Sequence, residues 1–217
     1  LEWDEAYGGK YFDFGQGIVQ AKDGGYLVCG GTGSSDGNFP KYDFNIGFTT
    51  NYVAIFKLSS TGTLLWYKVV GGSATEKGAR IFENADGSVA VFGATESNDY
   101  SFSNSNGGSD AWMMKLDKDG VLQDSLMYGG SQTEYLRDAV NTSDNGFAML
   151  ISSTSDDGDL VSPKRGLKVD ESGAIQWEKS YGGSGLDEPL GICQTSDGGY
   201  VAVGEADKAD RDVSSVV

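Results

Sequence analysis

The side chains in this sequence with the greatest chemical capacity are carboxylates, and they recur at fixed spacing. One set, Asp13, Glu76, Glu134 and Asp187, lies ten residues after Trp3, Trp66, Asp124 and Trp177. A second set, Asp36, Asp99, Asp157 and Asp210, lies thirteen residues after Asp23, Asp86, Asp144 and Asp197. Carboxylates that converge are hard oxygen ligands, suited to Ca²⁺ or Na⁺ rather than to softer metals. The first set is therefore a candidate cation site. Its members have a second reading, in which each accepts hydrogen bonds from nearby backbone amides and fixes a turn. Asp36-Gly37-Asn38 and Asp157-Gly158-Asp159 look like calcium loops but lack the full ligand spacing.

Other chemistry is narrowed by what is missing. The chain has no histidine, which removes the usual general base, Ser-His-Asp triads and His-ligated zinc. No glycine motif precedes a helix in the way a phosphate cradle requires. A glycosidase built on a carboxylate pair stays open because acids are plentiful, but the expectation is a protein that is not an enzyme. The net charge of −16 repels phosphate backbones, so nucleic acid is excluded as a partner. No stretch is long and apolar enough to span a bilayer.

The same spacing defines the elements that carry these acids. Five residues after each anchor stands a Gly-Gly pair, Gly8-Gly9, Gly71-Gly72, Gly129-Gly130 and Gly182-Gly183. Twenty residues after each anchor an Asp precedes a turn residue, at Asp23-Gly24, Asp86-Gly87, Asp144-Asn145 and Asp197-Gly198. Two offsets held in four copies define a repeat, with units at about 3–65, 66–123, 124–176 and 177–217. Each unit reads as four short strands, with the Asp-Gly hairpin between the first two. The first two strands are continuous apolar runs, as expected of a sheet covered on both faces. Copy three departs from the frame, with Asp124 at the Trp position and Ile151 at a Gly position, which predicts a more exposed edge there.

These features predict an all-β fold, a single β-propeller domain over 1–217 with four four-stranded blades. Leu1-Glu2-Trp3 aligns with an outer strand, and Asp212 to Val217 aligns with a third strand. Pairing the two would complete the fourth blade and hide two sheet edges. The alternative is an open arc of a larger ring. The two cysteines, Cys29 and Cys193, read as small buried apolar residues, with a disulfide across the seam as the other possibility.

The inter-repeat loops (outer strand to next first strand) and the middle loops (second to third strand) emerge on the same side of such a blade. Both acid sets should therefore decorate one face. The middle loops carry the length variation and the aromatic residues Phe39, Tyr42, Phe44 and Phe48 in copy one and Tyr100 and Phe102 in copy two. Exposed there, they would stack on sugar rings or grip a protein; folded back, they would cover the blade edge. The candidate ligand-binding residues are accordingly Asp36, Phe39, Tyr42, Phe44, Phe48, Asp99, Tyr100 and Asp157.

The motif carried by Trp177, Tyr181-Gly182-Gly183-Ser184, Asp187, Asp197-Gly198-Gly199-Tyr200 and Asp110-Ala111-Trp112 resembles a propeller repeat of bacterial secreted and surface-anchored proteins. Ser60-Thr61-Gly62-Thr63-Leu64-Leu65-Trp66 is similar to the tryptophan-docking turn of quinoprotein-type propellers. The resemblance implies a structural role for Trp3, Trp66 and Trp177, in which each packs on the following blade. It implies no organic cofactor. It also implies a secreted or cell-surface location and a recognition or adhesion role toward a glycan or protein, as a monomer or as part of a larger chain. A spacer without a ligand is the alternative.

Overall fold

The computed structural model describes residues 2–39, 52–158, 165–181 and 187–206. Tyr42, Phe44, Phe48, Asp210 and the strand expected at Asp212 to Val217 lie outside them. The described chain is all-β, with a single 3-10 turn at Tyr100–Phe102. The first sheet contains β1 (Asp13–Gln20), β2 (Tyr26–Thr32), β3 (Tyr52–Leu58) and β4 (Leu64–Val70). The second contains β5 (Glu76–Glu83), β6 (Val89–Thr95), β7 (Asp110–Leu116) and β8 (Leu122–Tyr128). The third contains β9 (Glu134–Asn141), β10 (Phe147–Ser153), β11 (Arg165–Val169) and β12 (Ile175–Ser180). The fourth, among the described residues, is β13 (Asp187–Gln194) with β14 (Tyr200–Ala206). In each sheet the strands pair in sequence order, one sheet per repeat.

Local chemistry sets this architecture. Between the first two strands of each sheet, one turn residue takes a positive φ, at Gly24, Gly87, Asn145 and Gly198. The preceding Asp accepts from the amide two residues on, as Asp23 does from Gly25 at 2.9 Å and Asp197 from Gly199 at 3.1 Å. That is the hairpin the Asp-Gly pairs predict. Each first strand also skips one residue in its ladder, at Gln16, Ala79, Arg137 and Leu190, which share one repeat position. A bulge there bends the innermost strand in the same way in every copy.

The chain divides into two compact units, Leu1–Ser105 with Trp112–Met127, and Asn106–Ala111 with Tyr128–Val217. In the first unit, Val19, Leu27, Cys29, Val53 and Ile55 of the first sheet share a buried cluster with Ile81, Val89 and Val91 of the second. The second unit repeats the pattern, with Val140, Ala148 and Leu150 packed with Ile192 and Tyr200. Cys29 lies wholly inside the first of these clusters, and burial pushes its thiol up to about 12. Cys193 is exposed, against the expectation that both cysteines are buried, and neither is in a disulfide.

The tryptophans dock as the turn motif predicts. Trp3 donates its indole N–H to Ser60 O at 3.1 Å, and Trp66 donates to Lys118 O at 3.2 Å. Trp177 meets Tyr200 edge-on at 5.3 Å. Each of the first two indoles lies over a turn glycine with positive φ, Gly62 (+83°) or Gly120 (+81°). At Asp124 the side chain is exposed as expected, but Ile151 is fully buried, so the departure at the Gly position opens no edge.

Gly24 shares the same φ but has open space around its absent Cβ, whereas a Cβ on Gly120 would come within 2.7 Å of Trp66. Gly24→Ala should therefore cost about 1 kcal/mol from backbone strain alone. Gly120→Ala should cost roughly 2–4 kcal/mol, because overpacking against the indole adds to it. Urea denaturation of the two variants measures the difference.

Candidate functional site

Both acid sets meet at one end of each of the first three sheets, where the inter-repeat loop and the middle loop lie side by side. The Gly-Gly pair turns the chain there and presents a run of backbone amides with no strand to bond. The carboxylates take them up. Gly9 N donates to Asp13 at 2.8 Å, Gly72 N to Glu76 at 3.1 Å and Gly130 N to Glu134 at 2.8 Å. The next amide goes to the second set: Lys10 N to Asp36 at 2.7 Å, Ser73 N to Asp99 at 2.8 Å and Ser131 N to Asp157 at 2.7 Å. The one after goes to a serine hydroxyl, at Ser34, Ser97 and Ser155.

Those serines donate in turn to the first-set carboxylate. Ser34 reaches Asp13 at 2.8 Å, Ser155 reaches Glu134 at 2.6 Å, and Ser97 bonds Glu76 closely. A second hydroxyl joins from the end of the second strand, Thr32 to Asp13, Thr95 to Glu76 and Ser153 to Glu134. Both oxygens of all three carboxylates are thus engaged within their own sheet. Glu76 and Glu134 are fully buried, and Asp13 is half-buried. This is the turn-fixing arrangement.

Asp13 and Glu76 lie in one unit, Glu134 and Asp187 in the other. Among the described residues no group of three or more Asp, Glu or Cys side chains stands at a spacing that would hold a metal ion. Asp187 differs from its counterparts. It pairs in register with Ala206, where the others face Thr32, Thr95 and Ser153. Lys208 occupies the sequence position of Ser34, Ser97 and Ser155. The fourth repeat therefore lacks the hydroxyl donors.

The aromatic candidates separate. Phe39, expected as an exposed ligand contact, is buried among Phe56 and Tyr67, with ring centroids 5.8 and 5.6 Å away. Its loop folds back because Asn38 N donates to Gly8 O at 3.0 Å and the Asn38 side chain accepts from Gly8 N at 2.9 Å. Phe102 is likewise buried, 5.7 Å from Trp112. Tyr100 remains 60% exposed, held at a φ of 48° in the 3-10 turn. Two exposed aromatics escaped the sequence reading. Phe12 is 71% exposed and Tyr11 lies beside it, both in the first inter-repeat loop. Their counterparts are Ala74-Thr75 and Gln132-Thr133, so aligning the copies marks them as a departure.

The described chain is thus an all-β repeat protein of consecutive antiparallel sheets, three of them with their two loops tied together at one end. No family model matches it, and no curated protein resembles it in sequence. Among solved structures it is similar to the crystal structure of a protein of unknown function from Bacteroides caccae, with a TM-score of 0.50 at 9% identity. That match covers 96% of this chain and 61% of the other, so the likeness concerns the fold and the chain spans well under the full length of its neighbour. Among the described residues no helix is long and apolar enough to cross a membrane.

Burial pushes the Glu76 carboxyl up to about 7, with Asp99 adding to the rise and the bonds from Ser97, Gly72 and Thr95 opposing it. A folded value above the ordinary 4.5 means that the folded chain binds this proton more tightly. The group's stabilising contribution is full below pH 4.5 and is lost as pH rises through about 7. The stability of the wild type relative to Glu76→Gln should fall across that window and level off above it. A flat difference in urea midpoints would show an ordinary carboxylate.

Because the first-set oxygens in three sheets already have donors, thermal melts in Ca²⁺ and in chelator should coincide. A midpoint rise of roughly 5 °C or more with Ca²⁺ would instead mark a cation site.

Proposed function

We propose that this chain is a non-catalytic recognition module of β-propeller type, with four blades, the last completed by pairing the N-terminal outer strand with the C-terminal third strand. Its place is extracytoplasmic, on a secreted or surface protein, and its ligand is a glycan or a protein. The location and the adhesive role rest on the resemblance of the repeat motif.

One observation carries the reading of the binding face. In three sheets the inter-repeat loop and the middle loop are fastened by the same hydrogen bonds, while the residues at their tips differ from copy to copy. Rigid loop bases with variable tips are how a scaffold presents recognition surfaces. Phe12, Tyr11 and Tyr100 supply exposed rings there, and a ring face stacks on the apolar face of a sugar or against a protein side chain. The second-set acids contribute by holding the loops. The negative charge of the chain favours neutral or cationic partners.

Glycan-array and surface-pulldown binding by the wild type should fall about tenfold or more in Tyr100→Ala and in Phe12→Ala, since a buried aromatic contact carries ~1.5–3 kcal/mol. Melting temperatures should stay near wild type because both rings are exposed. Binding unchanged in both variants would favour a spacer without a ligand on this face.

A further inference from the structure

Tyr100 stands at a glycine position. It follows the middle-loop acid Asp99 as Gly37 follows Asp36 and Gly158 follows Asp157. All three take a positive φ, 64° at Gly37, 48° at Tyr100 and 74° at Gly158. A left-handed backbone favours glycine, and crowding adds to that preference here. A Cβ on Gly37 would lie 2.2 Å from Gly8 O, and one on Gly158 would lie 2.3 Å from Gly129 O. Tyr100 carries that Cβ, and the bonds beside it are stretched. Ser101 N donates to Gly71 O at 3.3 Å and its hydroxyl accepts from Gly71 N at 3.4 Å, where Asn38 makes the same pair with Gly8 at 3.0 and 2.9 Å. Strain of this kind gathers at ligand clamps and switch regions.

The strained tip is fastened to one short turn. Gly71 N donates to Ser101, Gly72 N to Glu76, Ser73 N to Asp99 and Ala74 N to Ser97. Tyr100 lies between two of these holders, and Glu76 anchors the turn that they hold. The Glu76 carboxyl is fully buried, with Gly72 N on one oxygen and the Ser97 and Thr95 hydroxyls on the other. Asp99 faces it with a charge from the middle loop. The Tyr52 ring lies beside it from β3, where a Cβ on Gly71 would meet both. Lys77, next along β5, is exposed. An ionised Glu76 sets a buried negative charge near that of Asp99. A protonated Glu76 keeps its contacts, because Thr95 can turn its hydroxyl toward Ser97 O, 3.5 Å away, and accept from the carboxyl.

We infer that the Tyr100 tip is a proton-gated clasp, closed on the turn at 71–74 while Glu76 holds a proton and opened when that proton leaves. Its bearing on recognition rests on the reading of Tyr100 as a ligand contact; the clasp itself does not. Ionisation of Glu76 repels Asp99 and loads the stretched bonds between Ser101 and Gly71. The closed clasp binds the proton more tightly than an open one in which water reaches the carboxyl. Burial pushes Glu76 up to about 7, so closure is fully favoured below pH 4.5 and that advantage is lost as pH rises through about 7. A ligand gripped by Tyr100 is held on the acid side and released on the alkaline side.

Amide hydrogen exchange reads the clasp with no ligand present. Protection factors of Gly71, Gly72, Ser73, Ala74 and Ser101, taken relative to Val91 and Phe92 in β6, should fall roughly tenfold or more between about pH 5 and pH 8. Glu76→Gln cannot ionise and should keep the acid-side protection at both values. Tyr100→Gly relieves the strain and should raise protection at both by roughly fivefold or more. Protection flat with pH in the wild type, or equally pH-dependent in Glu76→Gln, would overturn the inference. Glycan-array binding at the same two pH values separates the clasp from the recognition role. If protection follows pH while binding is indifferent to Tyr100→Ala, the clasp stands and Tyr100 is no ligand contact. If binding needs Tyr100 while protection stays flat, the clasp falls and the recognition role stands.

Discussion

A carboxylate held by loop amides and hydroxyls is the interaction on which the rest of the fold depends. A Gly-Gly turn lets the chain reverse between sheets, but it strands several backbone donors away from any ladder, and unpaired donors are costly when removed from water. In three sheets one Asp or Glu at the start of the first strand answers that cost. It takes one amide itself and orders the serine that takes another, while the middle-loop Asp takes a third. Bonds to a charged acceptor are worth about 1.5–3 kcal/mol each. Such a cluster decides where the first strand begins and where the middle loop leaves, and hence how the sheets follow one another.

The burial of Glu76 shows the limit of that device. The donors favour the charged carboxylate, while the surroundings that exclude water oppose it, and here the surroundings prevail. The tryptophan turns solve a different problem. They fix the outer strand of one sheet onto the next through an indole, one hydrogen bond and a glycine that leaves room beneath the ring. Polar anchoring at one end of the sheet and aromatic docking at the turn are independent, which is why copy three keeps its carboxylate cluster although Asp124 replaces the indole.

The repeat, the hairpins, the sheet boundaries and the docking tryptophans were legible because each follows from a local rule. Asp-Gly pairs make hairpins, and a glycine beneath an indole has no substitute. The partners of the acids were present in the sequence too, since Thr32, Thr95 and Ser153, like Ser34, Ser97 and Ser155, hold constant offsets from their carboxylates. Reading the acids alone suggested ligands; reading them with those hydroxyls would have suggested a turn. Phe39 was less accessible to such reasoning. An aromatic residue in a long polar loop looks alike whether it faces solvent or folds back, and the bonds that decide it, Asn38 with Gly8 and again Ser101 with Gly71 beside the equally buried Phe102, join different side chains in the two copies. Cys193 holds the repeat position of the half-buried Val19, Phe82 and Val140, so aligning the copies gave no sign that it is exposed.

The hydrogen bonds of the loop cluster span only 4, 19, 21, 23 and 26 residues, the same five separations in three copies. Every one of them closes within a single hairpin and its flanking loops. The loop-closure entropy for each is therefore small, and none waits for a distant segment to arrive. During synthesis a repeat can set its own loops as soon as its second strand and the first residues of its middle loop have emerged, before any later sheet exists. The slow step of folding is then left to the faces between sheets, where the contacts reach farthest along the chain.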